Sequence, residues 1–206
     1  MQGQEVGRRD RKRRHTRAAL AEAALDLFEE LGFAATTIED ITERADVSRR
    51  TFFRYFPSKE AVLLADPEEY EHVLVEALAA QELPLTMSRV FAALAAAAEA
   101  TQDTEAIRRR RATIIASNHL EVSSIAWQAF STARDALTTH VAVRSGLDPD
   151  DRRLTVAADL ALFTMSLAYM AWTEGEEHAT LTAEFERTVA VLRALVNDDL
   201  ALGDAI

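Results

Sequence analysis

The stretch Thr36–Glu60, TTIEDITERADVSRRTFFRYFPSKE, decides the fold of the N-terminal part of this chain. Glu39 and Asp40 follow Thr36 and Thr37 by three residues, which is the spacing of a capping box at a helix start. A helix is therefore expected from Ile38 onward. Asp46 tolerates the left-handed backbone of a tight turn, and Ser48 is a natural N-cap for the next helix.

That next helix is predicted over Arg49–Tyr55, because Pro57 steers the residue before it away from helical geometry. Two short helices joined by a turn of about three residues form a helix-turn-helix. Upstream, apolar residues recur at three- and four-residue spacing from Ala18 to Leu31, and Gly32 ends that helix. A basic arm, Arg8–Arg17, leads directly into it.

Beyond the turn motif the pattern stays helical. Helices are predicted over residues 58–80, 86–101, 103–118, 120–145, 150–174 and 180–201, the first of them capped by Ser58. The fold class is all-α, with an N-terminal three-helix helix-turn-helix DNA-binding domain and a C-terminal helical bundle for ligand binding and dimerisation. The domain bounds are 1–60, which includes the basic arm, and 61–206.

Composition and charge limit the function classes. The 206 residues include no Cys, which excludes disulfides and thiolate chemistry. The net charge of −11 is uneven: residues 1–60 hold 12 basic and 11 acidic side chains, against 11 and 23 in the rest. Such asymmetry hints at nucleic-acid contact at the basic end. We expect a cytoplasmic protein without a membrane partner, since no apolar run follows the basic N-terminus and the apolar stretch Leu160–Trp172 is too short to span a bilayer.

The residue types in the second short helix suit DNA. Arg49 and Arg50 stand at its start, and arginine reads guanine bidentately in the major groove. The hydroxyls of Ser48, Thr51 and Tyr55 are suited to phosphates, which fix register without reading sequence.

The same segment, from Gly32-Phe33 through the Thr pair, Val47-Ser48 and Tyr55-Phe56 to Lys59-Glu60, resembles the TetR family of repressors. The resemblance covers roughly residues 11–64. It implies base or nearby backbone contacts for Arg49, Arg50, Phe53 and Arg54. It implies phosphate contacts for Thr37, Ser48, Thr51, Tyr55 and Lys59.

Two positions depart from the pattern, and some side chains have plainer interpretations. Asp46 stands where many relatives have Gly, and Phe53 replaces a Tyr, so it offers only apolar contact, as to a thymine methyl. Phe52 and Phe56 are expected in the core, and Arg54 fits a solvated surface charge as well as a DNA contact. From the arm, Arg11 and Arg14 are expected on phosphates or in a minor groove.

The C-terminal part has two open interpretations, a dimerisation scaffold or a ligand-binding domain. Pockets between bundle helices are mostly apolar with a few polar anchors. The candidate pocket residues are Phe91, Leu94, Ile114, Asn118, Trp127, Phe130, Phe163, Leu167, Met170 and Trp172. Dimerisation is expected through the last two helices, 150–174 and 180–201, which implies a near-palindromic operator.

The run Arg108–Arg111 is unusual in so acidic a region. On a helix these four side chains point in all directions, so at least one must face inward or pair with carboxylates. Pairing with neighbours is the favoured interpretation, and attraction of an anionic effector such as an acyl-CoA is the alternative. The C-terminal pattern also resembles actinobacterial regulators that respond to acyl-CoAs, including those of mycofactocin clusters.

An enzyme is the main rival class. The five histidines are scattered without an H-E-x-x-H pair, and no G-x-S-x-G, P-loop or dinucleotide turn occurs. We therefore expect no catalytic residues, no cofactor and no metal. The sequence predicts a ligand-responsive regulator, and its expected partners are operator DNA, a small apolar or anionic effector and a second copy of the chain. A helical dimerisation scaffold, or a cofactor-free helical enzyme, is the alternative.

Overall fold

The computed structural model describes residues 2–64, 67–101, 104–175 and 179–196. Their regular structure is helical, and no strand occurs within these ranges, which confirms the all-α prediction. The helices are α1 (Gln2–Leu31), α2 (Ile38–Arg44), α3 (Arg49–Tyr55), α4 (Pro67–Ala79), α5 (Met87–Ala100), α6 (Glu105–Ser117), α7 (His119–Ser145), α8 (Arg152–Glu174) and α9 (Leu181–Val196).

Packing divides the chain into two compact units. The first comprises residues 1–64 with 110–125, and the second comprises residues 65–109 with 126–206. The first unit holds the helix-turn-helix, and the second holds α4, α5, α8 and α9.

The first unit is organised around the end of α1. Gly32 takes a positive φ of 89° and ends the helix, as the sequence predicts. Directly after Gly32, in the loop, Phe33 packs edge-on against Phe28 at 4.9 Å between ring centroids. The buried Thr36 donates its hydroxyl to the carbonyls of Leu27 and Gly32, at 3.2 and 2.9 Å. These bonds fix the loop from which α2 begins.

The helix predicted over residues 58–80 is wrong at its start. A single 3₁₀ turn covers Glu60–Leu63, Leu64 is extended, and α4 begins only at Pro67. The physical reason is Pro67, which lacks an N–H and is tolerated only in the first turn of a helix. The predicted Ser58 cap is also wrong, since the residue before the 3₁₀ turn is Lys59, although the Ser58 hydroxyl accepts the Ala61 N–H at 3.3 Å.

The remaining helix bounds lie within two residues of those predicted, where the structure describes them. For the last predicted helix, residues 197–201 lie outside the described residues. The basic arm also differs from a loose extension, because α1 begins at Gln2 and the arm is part of that helix.

The second unit is built on mutual packing of α5, α8 and α9, with α4 against α5. Phe91 of α5 meets Phe185 of α9 edge-on, at 5.9 Å between ring centroids. Trp172, near the end of α8, is fully buried and donates its indole N–H to the Ala179 carbonyl at 2.8 Å. One face of α8 is therefore buried inside the chain.

The opposite face of α8 is exposed and apolar. It carries Val156, Leu160, Phe163, Leu167 and Met170, at spacings of four, three, four and three residues. We call these five residues the α8 stripe. The whole helix spans 23 residues and is long and apolar enough to cross a membrane by length and composition only, a test that a core helix also passes.

Candidate nucleic-acid interface

The turn between α2 and α3 has the geometry that the sequence predicts. Asp46 takes a positive φ of 50°, and the Val47 N–H donates to the Thr42 carbonyl at 3.0 Å. Ser48 is the N-cap of α3, because its hydroxyl accepts the Thr51 N–H at 3.1 Å. The Ser48 and Thr51 hydroxyl oxygens lie 2.9 Å apart, so the two form one polar pair at the helix start.

The two arginines at the start of α3 are both exposed but differ in their partners. Arg49 pairs with Glu39 of α2, and its guanidinium carbon lies 5.6 Å from the centre of the Phe53 ring. Arg50 makes no side-chain hydrogen bond or ion pair with any residue that the structure describes. One guanidinium is thus held by the protein, and the other is available to a ligand.

The aromatic residues of α3 lie on two faces. Phe52 and Phe56 are buried, which confirms them as core, and their ring centroids are 5.7 Å apart. Phe53 is 45% exposed and meets Phe52 edge-on at 5.6 Å. The outward face of α3 therefore presents an aromatic surface between its cationic groups.

The end of α3 combines Arg54 with Tyr55. The Arg54 guanidinium carbon lies 5.0 Å from the Tyr55 ring centre, and its Nη2 is 3.5 Å from the phenolic oxygen. Arg54 is exposed, whereas Tyr55 is half-buried. From α1, Arg17 donates to the Tyr55 carbonyl at 2.7 Å and stacks 4.3 Å above the Phe56 ring. Arg17 therefore braces the end of α3, a role that its place in a basic run did not reveal.

Thr37 is the N-cap of α2 in a complete capping box. Its hydroxyl donates to Asp40 Oδ2 at 2.6 Å and accepts the Asp40 N–H at 3.1 Å, while its own N–H donates to Asp40 at 2.9 Å. These bonds from Thr37 lower the pKa of Asp40. The Thr37 N–H and hydroxyl are engaged inside the protein, so a phosphate at this position would compete with Asp40.

Lys59 is turned toward the loop before α2. Its ammonium donates to the carbonyls of Phe33 and Thr36, at 2.6 and 2.8 Å, and lies 4.5 Å from the Phe33 ring centre. An ammonium has three donors, and these two carbonyls use two of them. Lys59 thus braces the loop, and its phosphate contact stays a prediction.

The arm residues Arg11 and Arg14 are exposed on α1. A helical arm presents its cations on a rod, whereas the arms that enter minor grooves are inserted segments. Contact with phosphates therefore fits these two residues better than insertion into a groove, and it stays a prediction.

The candidate ligand residues do not form one set. Ile114 and Asn118 belong to the first unit, where Ile114 is buried and the Asn118 amide donates to the Ile114 carbonyl at 2.8 Å. In the second unit Phe91, together with Leu94 and Trp172, is buried in helix packing. Trp127 is exposed and stacks on Phe130, with ring centroids 5.9 Å apart.

Three of the candidate ligand residues lie on the outer surface of α8. Phe163, Leu167 and Met170 belong to the exposed α8 stripe, so within one chain they enclose nothing. The reason is helical phase: the buried positions Leu154, Ala158, Ala161, Met165, Ala168 and Trp172 occupy the other face of α8. In one chain these three residues lie on the outer surface, and their contact with a ligand stays a prediction.

The run Arg108–Arg111 is engaged in the protein. In the second unit Arg108 donates to the Ala98 carbonyl, and Arg109 donates to the Ala179 carbonyl at 2.9 Å. The Arg109 guanidinium also lies 4.6 Å from the centre of the Trp172 indole. Both side chains thus stabilise the ends of neighbouring helices.

The other two arginines belong to the first unit. Arg110 pairs with Asp26 at 2.6 Å and with Glu29 at 2.7 Å, both on α1. The hydrogen bonds that Arg110 donates to Glu29, followed by the one to Asp26, raise the pKa of Arg110. Arg111 is buried. Pairing with neighbours, the favoured interpretation, is confirmed for Arg110.

Across the described part of the chain, no group of three or more histidine, aspartate and glutamate side chains is placed to hold a metal ion. The outward face of α3 carries the cationic side chains of Arg49, Arg50 and Arg54. Glu39 was missed by the sequence analysis, because its contact with Arg49 depends on how α2 and α3 cross.

Comparison with known proteins identifies both parts of the chain. Residues 20–65 match the family model described as bacterial regulatory proteins, tetR family, and residues 85–197 match the model described as MftR C-terminal domain. The regulator TcmR of Streptomyces glaucescens is 44% identical over 92 residues, which are 43% of this chain and 41% of TcmR.

A second relative covers most of the chain. MftR of Mycobacterium tuberculosis, named as a mycofactocin biosynthesis transcriptional regulator, is 26% identical over 166 residues, or 81% of this chain and 84% of MftR. Among solved structures, a TetR-family protein of Syntrophomonas wolfei aligns over 92% of this chain and 99% of its own, with a TM-score of 0.60 and 17% identity. FadR of Thermus thermophilus, solved with lauroyl-CoA, aligns over 92% and 98%, with a TM-score of 0.53 and 24% identity. These structural likenesses show the shared fold.

Proposed function

Since this chain belongs to the TetR family of bacterial transcriptional regulators, we propose that it is a repressor that leaves a near-palindromic operator when a small effector binds. Regulators of this family bind operator DNA, respond to small molecules and act as dimers; they are not enzymes. We assign DNA binding to residues 1–60, and effector binding and dimerisation to residues 61–206.

The observation that carries this proposal is the start of α3. Ser48 caps a seven-residue helix whose first two residues, Arg49 and Arg50, are exposed guanidinium groups. The N-terminal residues of a recognition helix are those that reach base edges in the major groove. Ser48, Thr51 and Tyr55 then suit phosphates on either side, and Phe53 suits a thymine methyl.

A gel-shift assay with duplex DNA from beside the protein's own gene tests this function. The wild-type protein is expected to give a specific shift. Arg50→Ala is expected to weaken the shift about tenfold or more, because a bidentate arginine–guanine contact contributes roughly 1–3 kcal/mol. Arg152→Ala, which removes an exposed arginine at the start of α8, is the matched control. A pure dimerisation scaffold would shift no duplex preferentially.

The arm contributes charge without reading sequence. We place Arg11 and Arg14 on phosphates, because both are exposed cations on α1. Each neutralised phosphate adds about 0.9 to the slope of log affinity against log salt. The double variant Arg11→Ala/Arg14→Ala should therefore reduce the slope by about two per protomer. An unchanged slope would remove the arm from the interface.

The homodimer is proposed to use the α8 stripe together with Val191 and Leu195 of α9. All of these apolar side chains are exposed in the single chain. Contiguous exposed apolar surface of this kind usually marks an interaction site. A two-fold dimer presents two recognition helices to successive major grooves about 34–36 Å apart. Covering this face also favours a cytoplasmic regulator over a membrane-spanning use of α8.

The effector is proposed to be a small apolar or anionic molecule, with an acyl-CoA as the first candidate. The support is the match of residues 85–197 to the MftR C-terminal domain. Within the second unit, Phe91, Trp127 and Phe130 are the proposed contacts. Because Arg108–Arg111 are used within the protein, an acyl chain rather than the phosphates should supply most of the affinity.

A thermal-shift series tests the acyl chain and the CoA group of the effector separately. Lauroyl-CoA is expected to raise the melting temperature, while free CoA gives little change. A ligand at 100 times its Kd adds about 2.7 kcal/mol to the free energy of unfolding. If neither compound stabilises the protein, the effector belongs to another class.

A further inference from the structure

We propose that Glu39 is a positioning residue that holds Arg49 for base reading and thereby sets operator specificity. The proposal rests on the operator binding assigned above. It concerns a carboxylate that lies at the DNA-facing end of the first unit, where a negative charge is unexpected.

The guanidinium of Arg49 is supported from two sides. Glu39, in the first turn of α2, forms an ion pair with it, and the two side chains are 60% and 62% exposed. The Phe53 ring lies beneath it at 5.6 Å, one helical turn further along α3. An arginine face fits an aromatic ring in this way because the ring quadrupole attracts the cation.

Both supports are themselves fixed to the core of the first unit. Phe53 meets the buried Phe52 edge-on. The backbone of Glu39 lies inside the capping box of Thr37 and Asp40, and its carbonyl accepts the Thr42 hydroxyl at 3.0 Å. Arg49 is therefore oriented before DNA arrives, which reduces the entropy that binding would otherwise cost.

Arg50 supplies the contrast within the same helix turn. It has the same side chain and is also exposed, yet it makes no side-chain bond to the described residues. A held guanidinium can present its planar fork to one base edge, whereas an unheld one adapts to bases or phosphates. We infer that Arg49 discriminates between bases more strongly than Arg50.

The charge of Glu39 adds a second effect. Near the backbone it repels every duplex equally, and while it pairs Arg49 it keeps that cation from a phosphate. The repulsion lowers affinity for all sequences alike, whereas keeping Arg49 off phosphates weakens non-operator binding without weakening a correct base contact, which is specificity by disfavouring the wrong partner. An exposed ion pair contributes little to folding stability, so removing it should leave the fold intact.

The experiment compares wild type, Glu39→Gln and Glu43→Gln by selection from a randomised duplex pool, followed by sequencing. Glu43 lies one turn along the same helix and is exposed, so its variant makes the same change of charge. In Glu39→Gln, base preference should fall about tenfold at one position in each half-site. The salt slope should also steepen by about one per protomer, as the released Arg49 binds a phosphate. Glu43→Gln should keep the wild-type preference at every position.

A double variant isolates the pair. Adding Glu39→Gln to Arg49→Ala should change base preference no further, because the group that Glu39 positions is gone. Unchanged preference in Glu39→Gln, or an even loss at all positions, would overturn the proposal. A wild-type protein that enriches no sequence would refute operator binding itself, and with it this role for Glu39.

Discussion

Helices α3 and α8 each complete a core with one face and expose the other, but the exposed chemistry is opposite. The outward face of α3 carries Arg49, Arg50 and Arg54, whereas that of α8 carries the apolar α8 stripe. Neither face is needed to fold its own unit. The difference therefore indicates two partners of different chemistry, a polyanion for α3 and a matching apolar surface for α8.

The cost of leaving each face uncovered also differs. Exposed guanidinium groups are well solvated and stable without a partner. Leaving apolar surface exposed to water costs about 25 cal/mol of free energy per Å². A free chain would thus gain more from covering α8 than from covering α3, which fits a lasting dimer that binds DNA reversibly.

The largest expected effect distinguishes the buried face of α3 from its exposed face, by substituting the neighbouring residues Phe52 and Phe53. Phe52→Ala should lower the free energy of unfolding by about 3–5 kcal/mol, because a fully buried ring leaves a cavity. Phe53→Ala is the control, and as a partly exposed residue it should cost less than about 1 kcal/mol. Urea unfolding measures both, and equal losses would mean that the two faces are not distinct.

The next effect tests the apolar face of α8. Leu167→Asp should raise the dimer dissociation constant by about 100-fold, since it places an unpaired charge in a buried patch. Val143→Asp on α7 is the control, because Val143 is an equally apolar, 77% exposed residue outside the stripe. Sedimentation equilibrium gives both constants. If Val143→Asp dissociates the dimer and Leu167→Asp does not, the interface lies on α7.

The two regions also differ in how much of them the sequence predicts. In the helix-turn-helix the signals are local: the Ser48 cap, the left-handed Asp46 and the Gly32 stop each act within a few residues. Those predictions are confirmed. The Glu39–Arg49 ion pair was not predicted, because it joins two helices whose crossing no local pattern encodes.

The second unit is less predictable for a physical reason. An apolar helical position such as Phe163 packs equally well in a core, a pocket or a subunit interface, and periodicity does not distinguish the three. Only the phase of α8 against α5 and α9 placed Phe163 on the outside. The late start of α4 differs in kind, because Pro67 stands in the sequence and is tolerated only in the first turn of a helix.

A smaller effect tests the local rule at the turn. Asp46 has a φ of 50°, a conformation that glycine adopts freely and that a Cβ opposes. Asp46→Ala should cost about 1 kcal/mol, while Asp46→Gly should be neutral within a few tenths. Urea unfolding of both variants checks this. A larger loss in the glycine variant would show that the Asp46 side chain, rather than its backbone, stabilises the turn.

The smallest expected effect is the pH dependence of stability that arises from carboxylates at the starts of α8 and α2. Asp151 caps α8, and its hydrogen bonds with Arg153 lower its pKa from 3.8 to about 2. Asp40 is the third residue of α2 and belongs to the capping box of Thr37, whose hydrogen bonds lower its pKa. A depressed carboxyl pKa favours the folded state above the unfolded pKa. The contribution of Asp151 should therefore be complete above about pH 4 and disappear as the pH falls toward 2.

Asp151→Asn removes this titration but keeps a side chain that can cap. The difference in the free energy of unfolding between wild type and variant should shrink between pH 4 and 2. Asp150→Asn, which removes the same charge at the exposed neighbouring position, is the matched control. A constant difference for Asp151→Asn would mean that the cap acts through shape and not through charge. The start of α8 would then need no negative charge, and in this it would resemble the exposed apolar face of the same helix.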